Sequence, residues 1–231
     1  MADKRDLLIL GGGLVGMTLA LAAARKGISS HVIDRADPAE LTAEGFDGRA
    51  SAISTASWNL FENIGLAGAL APHGCPIASI AVTDGMKPGR IDFQPEPHEG
   101  SLGLMFANRQ LRLALVGDAG HGLHPIAGQG LNVGLRDVGA LVEVIADGMR
   151  LGLDPGDAQL LTRYERWRGL DTFMVALATD GLTRLFGIPG RLPSAIRRLG
   201  MGIVQRTPGL KHWFMDEARG TSGKLPELLR G

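Results

Sequence analysis

Three glycines and one acidic residue near the start of the chain have the types and spacing of a dinucleotide-binding turn. Gly11 permits a tight turn, Gly13 lets a pyrophosphate approach the backbone, and Gly16 lets a helix pack close to a strand. Asp34 ends the following strand, where an acid accepts hydrogen bonds from ribose hydroxyls. The pattern predicts a dinucleotide site; glycines that merely shape a turn are the alternative.

A second polar and glycine-rich group lies further along the chain. Asp118 follows a short apolar run and is placed to accept a hydrogen bond from a sugar or polyol hydroxyl. Gly128–Asn132 opens a helix, whose unpaired first amides and dipole suit a partial negative charge. A purely structural role in a loop would explain each of these residues singly, but it would not explain why they occur together.

The predicted elements place both groups at the starts of helices. Asp6–Leu10, Leu14–Gly27 and Ser30–Asp34 read as strand, helix and strand, which is a βαβ unit with parallel strands and a right-handed crossover. Gln129–Ala146 has apolar residues at helical spacing. The other predicted elements are helices at Ser51–Ile64, Ala195–Gln205 and Leu210–Ala218, a long helix capped by Asp157, and strands at Ile77–Thr83, Arg90–Phe93 and Leu104–Phe106.

One junction in this pattern is sterically awkward. A helical segment opens at Asn108–Leu111, and Leu113–Val116 is predicted to be a strand. No turn residues separate the two, although even short connections usually take a few residues.

Composition excludes several function classes. The 231 residues carry 24 basic and 24 acidic side chains, a formal net charge of zero, and no basic run interleaved with aromatics, so we expect no nucleic-acid partner. The single cysteine, Cys75, excludes an internal disulfide and a multi-cysteine metal site; we expect it to be buried, and we expect no metal. No signal peptide or membrane span is visible, which favours a cytoplasmic protein.

The second group also carries a family resemblance. Together with Asp47–Ser54 and Asn108–Arg112, it closely resembles the para-hydroxybenzoate hydroxylase class of FAD-dependent aromatic hydroxylases, and within that class the ubiquinone-biosynthesis hydroxylases. The resemblance covers most of residues 5–112 and 113–220. The motif that carries it is Gly117-Asp118-Ala119-Gly120-His121-x-x-His124-Pro125-x-x-Gly128-Gln129-Gly130-x-Asn132-x-Gly134-x-x-Asp137.

The resemblance implies a fold and a set of FAD contacts. The fold is α/β, a Rossmann-like FAD-binding domain of the glutathione-reductase type over residues 1–150, with a C-terminal helical region over residues 151–231. The implied contacts are Gly11, Gly13 and Gly16 to the pyrophosphate, Asp34 to the ribose, and Arg49 beside the phosphate-bearing middle. Arg109 or Gln110 would reach the cofactor from the side of the helix, and Asp118 would bind the ribityl chain or a nearby phosphate. Gly130, Leu131 and Asn132 would line the flavin ring, with Pro125 and Gly128 as further cofactor-binding residues.

The resemblance also has a gap. Members of the class carry a long segment between the helix resembling Asn108–Arg112 and the strand before the Gly-Asp motif. Here the two flanks meet near Arg112-Leu113, so the substrate domain is expected to be largely deleted. The implied activity is hydroxylation of an apolar aromatic quinone precursor by reduced FAD and oxygen, with NAD(P)H as a candidate electron donor. No catalytic residue stands out, and the activity of the shortened chain is left open.

Two other functions remain as alternatives. One is a non-catalytic flavin-binding scaffold, and the other is an NAD-binding dehydrogenase, which the second motif disfavours because a nicotinamide site does not need it. The C-terminal helices combine basic and apolar residues. They either pack on the core or contact a membrane surface or a ubiquinone-pathway protein, which would make the protein peripheral to the inner membrane. The oligomeric state is left open.

Overall fold

A βαβ unit opens the fold. The structure is a computed structural model that describes residues 4–36, 48–84, 90–96, 100–119, 129–169 and 191–231. Strand β1 (Leu7–Leu10) pairs in parallel with β2 (Ser30–Ile33), and helix α1 (Leu14–Arg25) connects them. Gly27 follows α1 with a φ of +75°, the left-handed conformation that favours glycine. The predicted βαβ unit is confirmed.

A three-stranded antiparallel sheet follows, in which β7 (Gly103–Ala107) lies between β3 (Ala50–Ser54) and β4 (Cys75–Pro76). The prediction of one helix over Ser51–Ile64 is therefore wrong in its first turn. Residues 51–54 belong to β3, and α2 (Thr55–Asn63) begins only after Ser54. Pairing with a strand distant in sequence outweighs the local helical pattern. Cys75 is exposed on the short strand β4, contrary to expectation.

Six further helices complete the described part of the chain, and most of the predicted ones are confirmed. Asp157 accepts a hydrogen bond from the Gln159 N–H (2.7 Å) and caps its helix as predicted. The predicted continuation of this long helix to Leu185 lies outside the described residues. The helices are α3 (Ala67–Leu70), α4 (Asn108–Ala119), α5 (Gln129–Arg150), α6 (158–169), α7 (Arg191–Arg206) and α8 (Pro208–Arg219), with 3-10 turns at Ala71–His73 and Glu227–Leu229.

The predicted strand at Leu113–Val116 is wrong, because α4 runs without a break through that segment. Residues 112–116 contain no glycine or proline that would interrupt the helix, and Leu111 and Leu115 lie one helical turn apart. Both leucines are about 1% exposed, so continuing the helix buries them together. The junction expected to be awkward is a continuous helix.

The core lies between α1, α2, α4 and α5, and the C-terminal tail closes it. Leu228 and Leu229 of the tail are buried in the same cluster as the helices. The Asn63 Nδ2 donates to the Leu228 carbonyl at 2.9 Å, and the Asn59 Nδ2 donates to the Leu229 carbonyl at 3.2 Å. The tail is therefore an integral part of the N-terminal core.

The remaining sheet is the predicted hairpin of β5 (Ile80–Thr83) and β6 (Arg90–Phe93), whose strands are antiparallel. Asp84, at the end of β5, is buried and accepts hydrogen bonds from the Ser194 hydroxyl (2.5 Å) and the Arg197 Nε (2.9 Å) of α7. A buried ion pair with a second hydrogen bond thus joins the hairpin to the C-terminal helices.

Gly16 allows α1 to pack directly against the turn that follows β1. A Cβ at Gly16 would overlap the Gly11 carbonyl oxygen and lie 3.4 Å from the Ile9 Cγ2. The obstacle is backbone, which cannot rotate away as a side chain can.

Replacing Gly16 with alanine should therefore destabilise the fold. We expect Gly16→Ala to lower the free energy of unfolding by about 1–3 kcal/mol through overpacking. Gly202→Ala is the matched control, because a Cβ there meets open space on α7; it should raise stability by about 0.5–1 kcal/mol. Urea unfolding measures both, and a Gly16→Ala protein as stable as the wild type would contradict the packing.

Candidate nucleotide-binding site

The glycine turn leaves space beside the backbone at the start of α1. Gly11 has a φ of +101°, donates its N–H to the Ile33 carbonyl at 2.8 Å, and has no atom within 4 Å of the position a Cβ would take. Gly13 is the N-cap of α1 and provides no side-chain hydrogen bond to the first turn. An uncapped helix start next to open space fits the phosphates of a dinucleotide.

Asp34 holds this turn from the end of β2. Its Oδ2 accepts the Gly12 N–H at 2.7 Å, and its Oδ1 accepts the Ala36 N–H at 2.8 Å. The ribose contact stays a prediction, and the bond to the glycine turn is a feature that the sequence analysis did not include.

Arg49 and Arg109 lie next to the paired strands β3 and β7. Arg49 precedes β3 and is exposed, while Arg109 is half-buried in the first turn of α4. Asn108 brings them together, because its N–H donates to the Arg49 carbonyl at 3.0 Å. The backbones of both residues therefore lie at one end of the β3–β7 sheet, and contact of either guanidinium with the cofactor stays a prediction.

The predicted flavin contacts at the start of α5 differ in how exposed they are to solvent. Gly130 is exposed, whereas the Leu131 side chain is 2% exposed and packs in the core. Asn132 is half-buried and directs its carboxamide to β3. A Cβ at Gly134 would lie 2.8 Å from the Val15 Cγ2, so α5 also packs closely on α1.

Three predicted site residues lie partly or wholly outside the described structure. The backbone of Asp118 is in the last turn of α4, not at the end of a strand as predicted, and its side chain is outside the description. Pro125 and Gly128 lie outside the described residues. Their contacts with a cofactor stay predictions.

The last residue of the second motif, Asp137, has a partner that the sequence did not indicate. Its Oδ1 accepts from the Arg168 Nε at 2.6 Å, and the Arg168 side chain is 5% exposed. Tyr164 lies nearby: burial raises its pKa, the charge of Asp137 raises it further, and Arg168 opposes both. Because Arg168 lies 31 positions downstream on another helix, no local pattern could pair it with Asp137.

The described residues contain no cluster of potential metal ligands. Within them, no three His, Cys, Asp or Glu side chains come together in a way that could hold an ion.

The family is established by the sequence profile of the FAD binding domain, which matches in two segments, residues 4–105 and 104–170. The chain belongs to the FAD-binding domain family. The two segments of the FAD-binding domain meet inside β7, a few residues before the predicted junction at Arg112-Leu113. FAD is accordingly the cofactor of this family, and the residues of the glycine turn and Asp34 fit its adenosine diphosphate half.

Similar proteins include enzymes named for ubiquinone biosynthesis. The ubiquinone hydroxylase UbiL of Rhodospirillum rubrum is 28% identical over 402 positions, covering 100% of this chain and 94% of UbiL. The 3-demethoxyubiquinol 3-hydroxylase of Escherichia coli is 38% identical and covers 47% of this chain and 28% of the enzyme. The mitochondrial ubiquinone biosynthesis monooxygenase COQ6 of Drosophila melanogaster is 41% identical, covering 46% and 22%.

These matches show how much shorter this FAD-binding chain is than its relatives. An alignment of 402 positions with a chain of 231 residues leaves at least 171 positions of UbiL without a counterpart, the difference of the two numbers. The alignments with the E. coli and Drosophila enzymes cover 28% and 22% of those relatives.

Two solved structures resemble part of the chain. The Diels-Alderase PyrE3 is 25% identical with a TM-score of 0.38, covering 49% of this chain and 23% of PyrE3. The enzyme RebC, in the form RebC-10x, is 26% identical with a TM-score of 0.38, covering 52% and 25%.

The position of Asp34 leads to a test of the adenosine half of the site. Asp34→Ala should weaken FAD and ADP by the same factor, about tenfold or more, because both ligands share that half and charged hydrogen bonds contribute about 1.5–3 kcal/mol. Fluorescence titration measures both dissociation constants.

The control is Asp154→Ala. Asp154 accepts the Gly156 N–H at 2.8 Å in an exposed turn, the same type of bond as that between Asp34 and Ala36. Its loss should leave both affinities unchanged. An Asp34→Ala protein that binds ADP like the wild type would show that Asp34 does not organise the site.

Proposed function

We propose that the chain is the FAD-binding part of a monooxygenase that hydroxylates an apolar aromatic quinone precursor, with reduced FAD and oxygen as co-reactants. The observation that carries the proposal is the conjunction of two motif groups on one core: the glycine turn with Asp34, and the start of α5, which packs on α1. The names of the ubiquinone hydroxylases with which the chain aligns support the substrate class. NAD(P)H is the proposed source of electrons.

The glycine turn with Asp34 and the start of α5 are each proposed to bind one end of FAD. Gly11, Gly13 and Gly16 bind the pyrophosphate, and Asp34 binds the ribose while it fixes the turn. Arg49 and Arg109 contact the phosphate-bearing middle. The flavin end is assigned to Asp118, Pro125, Gly128, Gly130 and Leu131. When bound, FAD supplies the electron pair for oxygen activation, and the protein supplies orientation and exclusion of water.

The outer face of β1–β2 supports the proposal that a covering segment is missing. Leu8 and Leu10 are 63% and 78% exposed, and Ile33, paired with Leu10, is 47% exposed. Parallel sheets are normally covered on both faces. An apolar uncovered face, together with the 171 unmatched positions of UbiL, favours loss of the segment that would enclose the substrate.

Loss of that segment should uncouple the reaction. Each oxygen molecule consumed yields either one hydroxylated ring and one water, or one hydrogen peroxide. With the flavin end open to solvent, we expect peroxide to account for most of the oxygen consumed. Oxygen uptake by the reduced FAD-loaded protein with an alkylated phenol, scored for both products against free reduced FAD, measures the ratio.

The same experiment distinguishes the proposed monooxygenase from a second candidate function, a non-catalytic flavin-binding scaffold. Tight coupling to hydroxylated product would show that the unmatched positions are dispensable for catalysis. Exclusive peroxide formation at the rate of free reduced FAD would favour a non-catalytic flavin-binding scaffold, which the length comparison with UbiL already supports.

We further propose that α7 and α8 attach a cytoplasmic protein to an anionic membrane surface. Helix α7 contains four arginines and no acidic residue, although one of the four, Arg197, is buried in the ion pair with Asp84. Leu199 and Ile203, one turn apart on α7, are 68% and 52% exposed, and Trp213 of α8 is 53% exposed. Basic and apolar residues on adjacent helices favour binding in the headgroup region. Within the described ranges, every helix is too short or too polar to cross a bilayer.

Vesicle sedimentation tests the membrane proposal. The protein should sediment with phosphatidylcholine vesicles that contain phosphatidylserine, less so at high salt, and Leu199→Ser/Ile203→Ser should reduce the bound fraction severalfold. Leu161→Ser, which changes a 50% exposed leucine on α6, should bind like the wild type. Equal sedimentation of all three proteins, or none by the wild type, would contradict the proposal.

A further inference from the structure

Strand β3 is held along its free edge by one side chain from the start of α5. The Asn132 Oδ1 accepts the Ser54 N–H at 3.0 Å, and the Asn132 Nδ2 donates to the Ala52 carbonyl at 2.9 Å. The other edge of β3 pairs with β7. The carboxamide thus satisfies one donor and one acceptor, two residues apart, as a neighbouring strand would.

A second asparagine, at the start of α4, holds the other end of the same strand. The Asn108 Oδ1 accepts from the Ser51 hydroxyl at 2.7 Å, and Asn108 and Ser51 are 2% and 1% exposed. The Asn108 N–H also donates to the Arg49 carbonyl at 3.0 Å. Because this contact is buried, breaking it is more costly than breaking a surface hydrogen bond.

The two asparagines connect the two halves of the proposed cofactor site. Asn108 is adjacent to Arg109 and bonded to Arg49, which are assigned to the middle of FAD. Asn132 follows Gly130 and Leu131, which are assigned to the flavin end. Strand β3 is five residues long, so it is a short rigid connection between them.

We infer that Asn108 and Asn132 are positioning residues, which clamp β3 so that the arginine side and the start of α5 keep a fixed separation along FAD. The inference rests on the proposed function, and it assigns Asn132 a role through β3 in place of contact with the flavin ring. A ligand that reaches only the adenosine half should not depend on this clamp, whereas FAD should.

Comparison of FAD with ADP tests the clamp. Asn132→Ala and Asn108→Ala should each weaken FAD by about fivefold or more, the value of one hydrogen bond of about 1 kcal/mol, with ADP unchanged within about twofold. The double variant should lose less than the product of the two single losses, because one broken end already releases β3. Ser51→Ala, a smaller change that removes only the bond to Asn108, should reproduce the Asn108→Ala effect.

Asn63→Ala is the matched control, because Asn63 likewise donates to a backbone carbonyl, that of Leu228, but at the C-terminal tail. It should alter stability without altering the ratio of FAD to ADP affinity. If Asn132→Ala weakens FAD while Asn108→Ala and Ser51→Ala do not, Asn132 contacts the cofactor directly and the clamp is overturned. Equal losses for FAD and ADP, or fully multiplicative losses, also overturn it. A wild-type protein that binds ADP but not FAD would instead overturn the proposed function.

Discussion

The close approach of α1 to the turn after β1 is the constraint on which the rest of the molecule depends. Gly16 lies against the Gly11 carbonyl, and Gly134 of α5 lies against Val15 in the first turn of α1. Both contacts exclude a Cβ, so the segment of residues 11–16 and the distant helix α5 meet at one helix start. That helix start, with Gly11 in a left-handed conformation and Asp34 bonded to Gly12, is where the phosphates of a dinucleotide are expected.

Sequence patterns were sufficient where local structure determines the outcome. Gly11–Gly16 with its flanking strands predicted the βαβ unit, and the apolar spacing after Gln129 predicted α5. The predictions from sequence patterns failed where contacts with distant segments determine the secondary structure. Ser51–Ser54 carries a helical pattern but pairs with β7, and Leu113–Val116 looks like a strand but continues α4, because Leu111 and Leu115 bury together. The asparagine contacts to β3 were also missed, since they join residues up to 80 positions apart.

The comparison with relatives bears on one of these errors, the strand predicted at Leu113–Val116. The family profile matches in two segments that meet within β7, and UbiL has at least 171 positions that this chain lacks. Where flanks that are distant in relatives are adjacent, a helix can extend across the junction, and a sheet face can lose its cover. We propose that the continuous α4 and the exposed side chains of Leu8 and Leu10 are such features. The glycine turn, Asp34 and the packing of α5 on α1 lie outside the junction.

The central claim is that both parts of the FAD site survive this shortening. Fluorescence titration of the purified chain with FAD, with ADP and NAD as competitors, tests it most directly. The account predicts saturable FAD binding, displacement by ADP, and weaker competition by NAD, because only FAD engages both the glycine turn and the start of α5. Binding of NAD in preference to FAD, or no dinucleotide binding by a folded protein, would contradict the account.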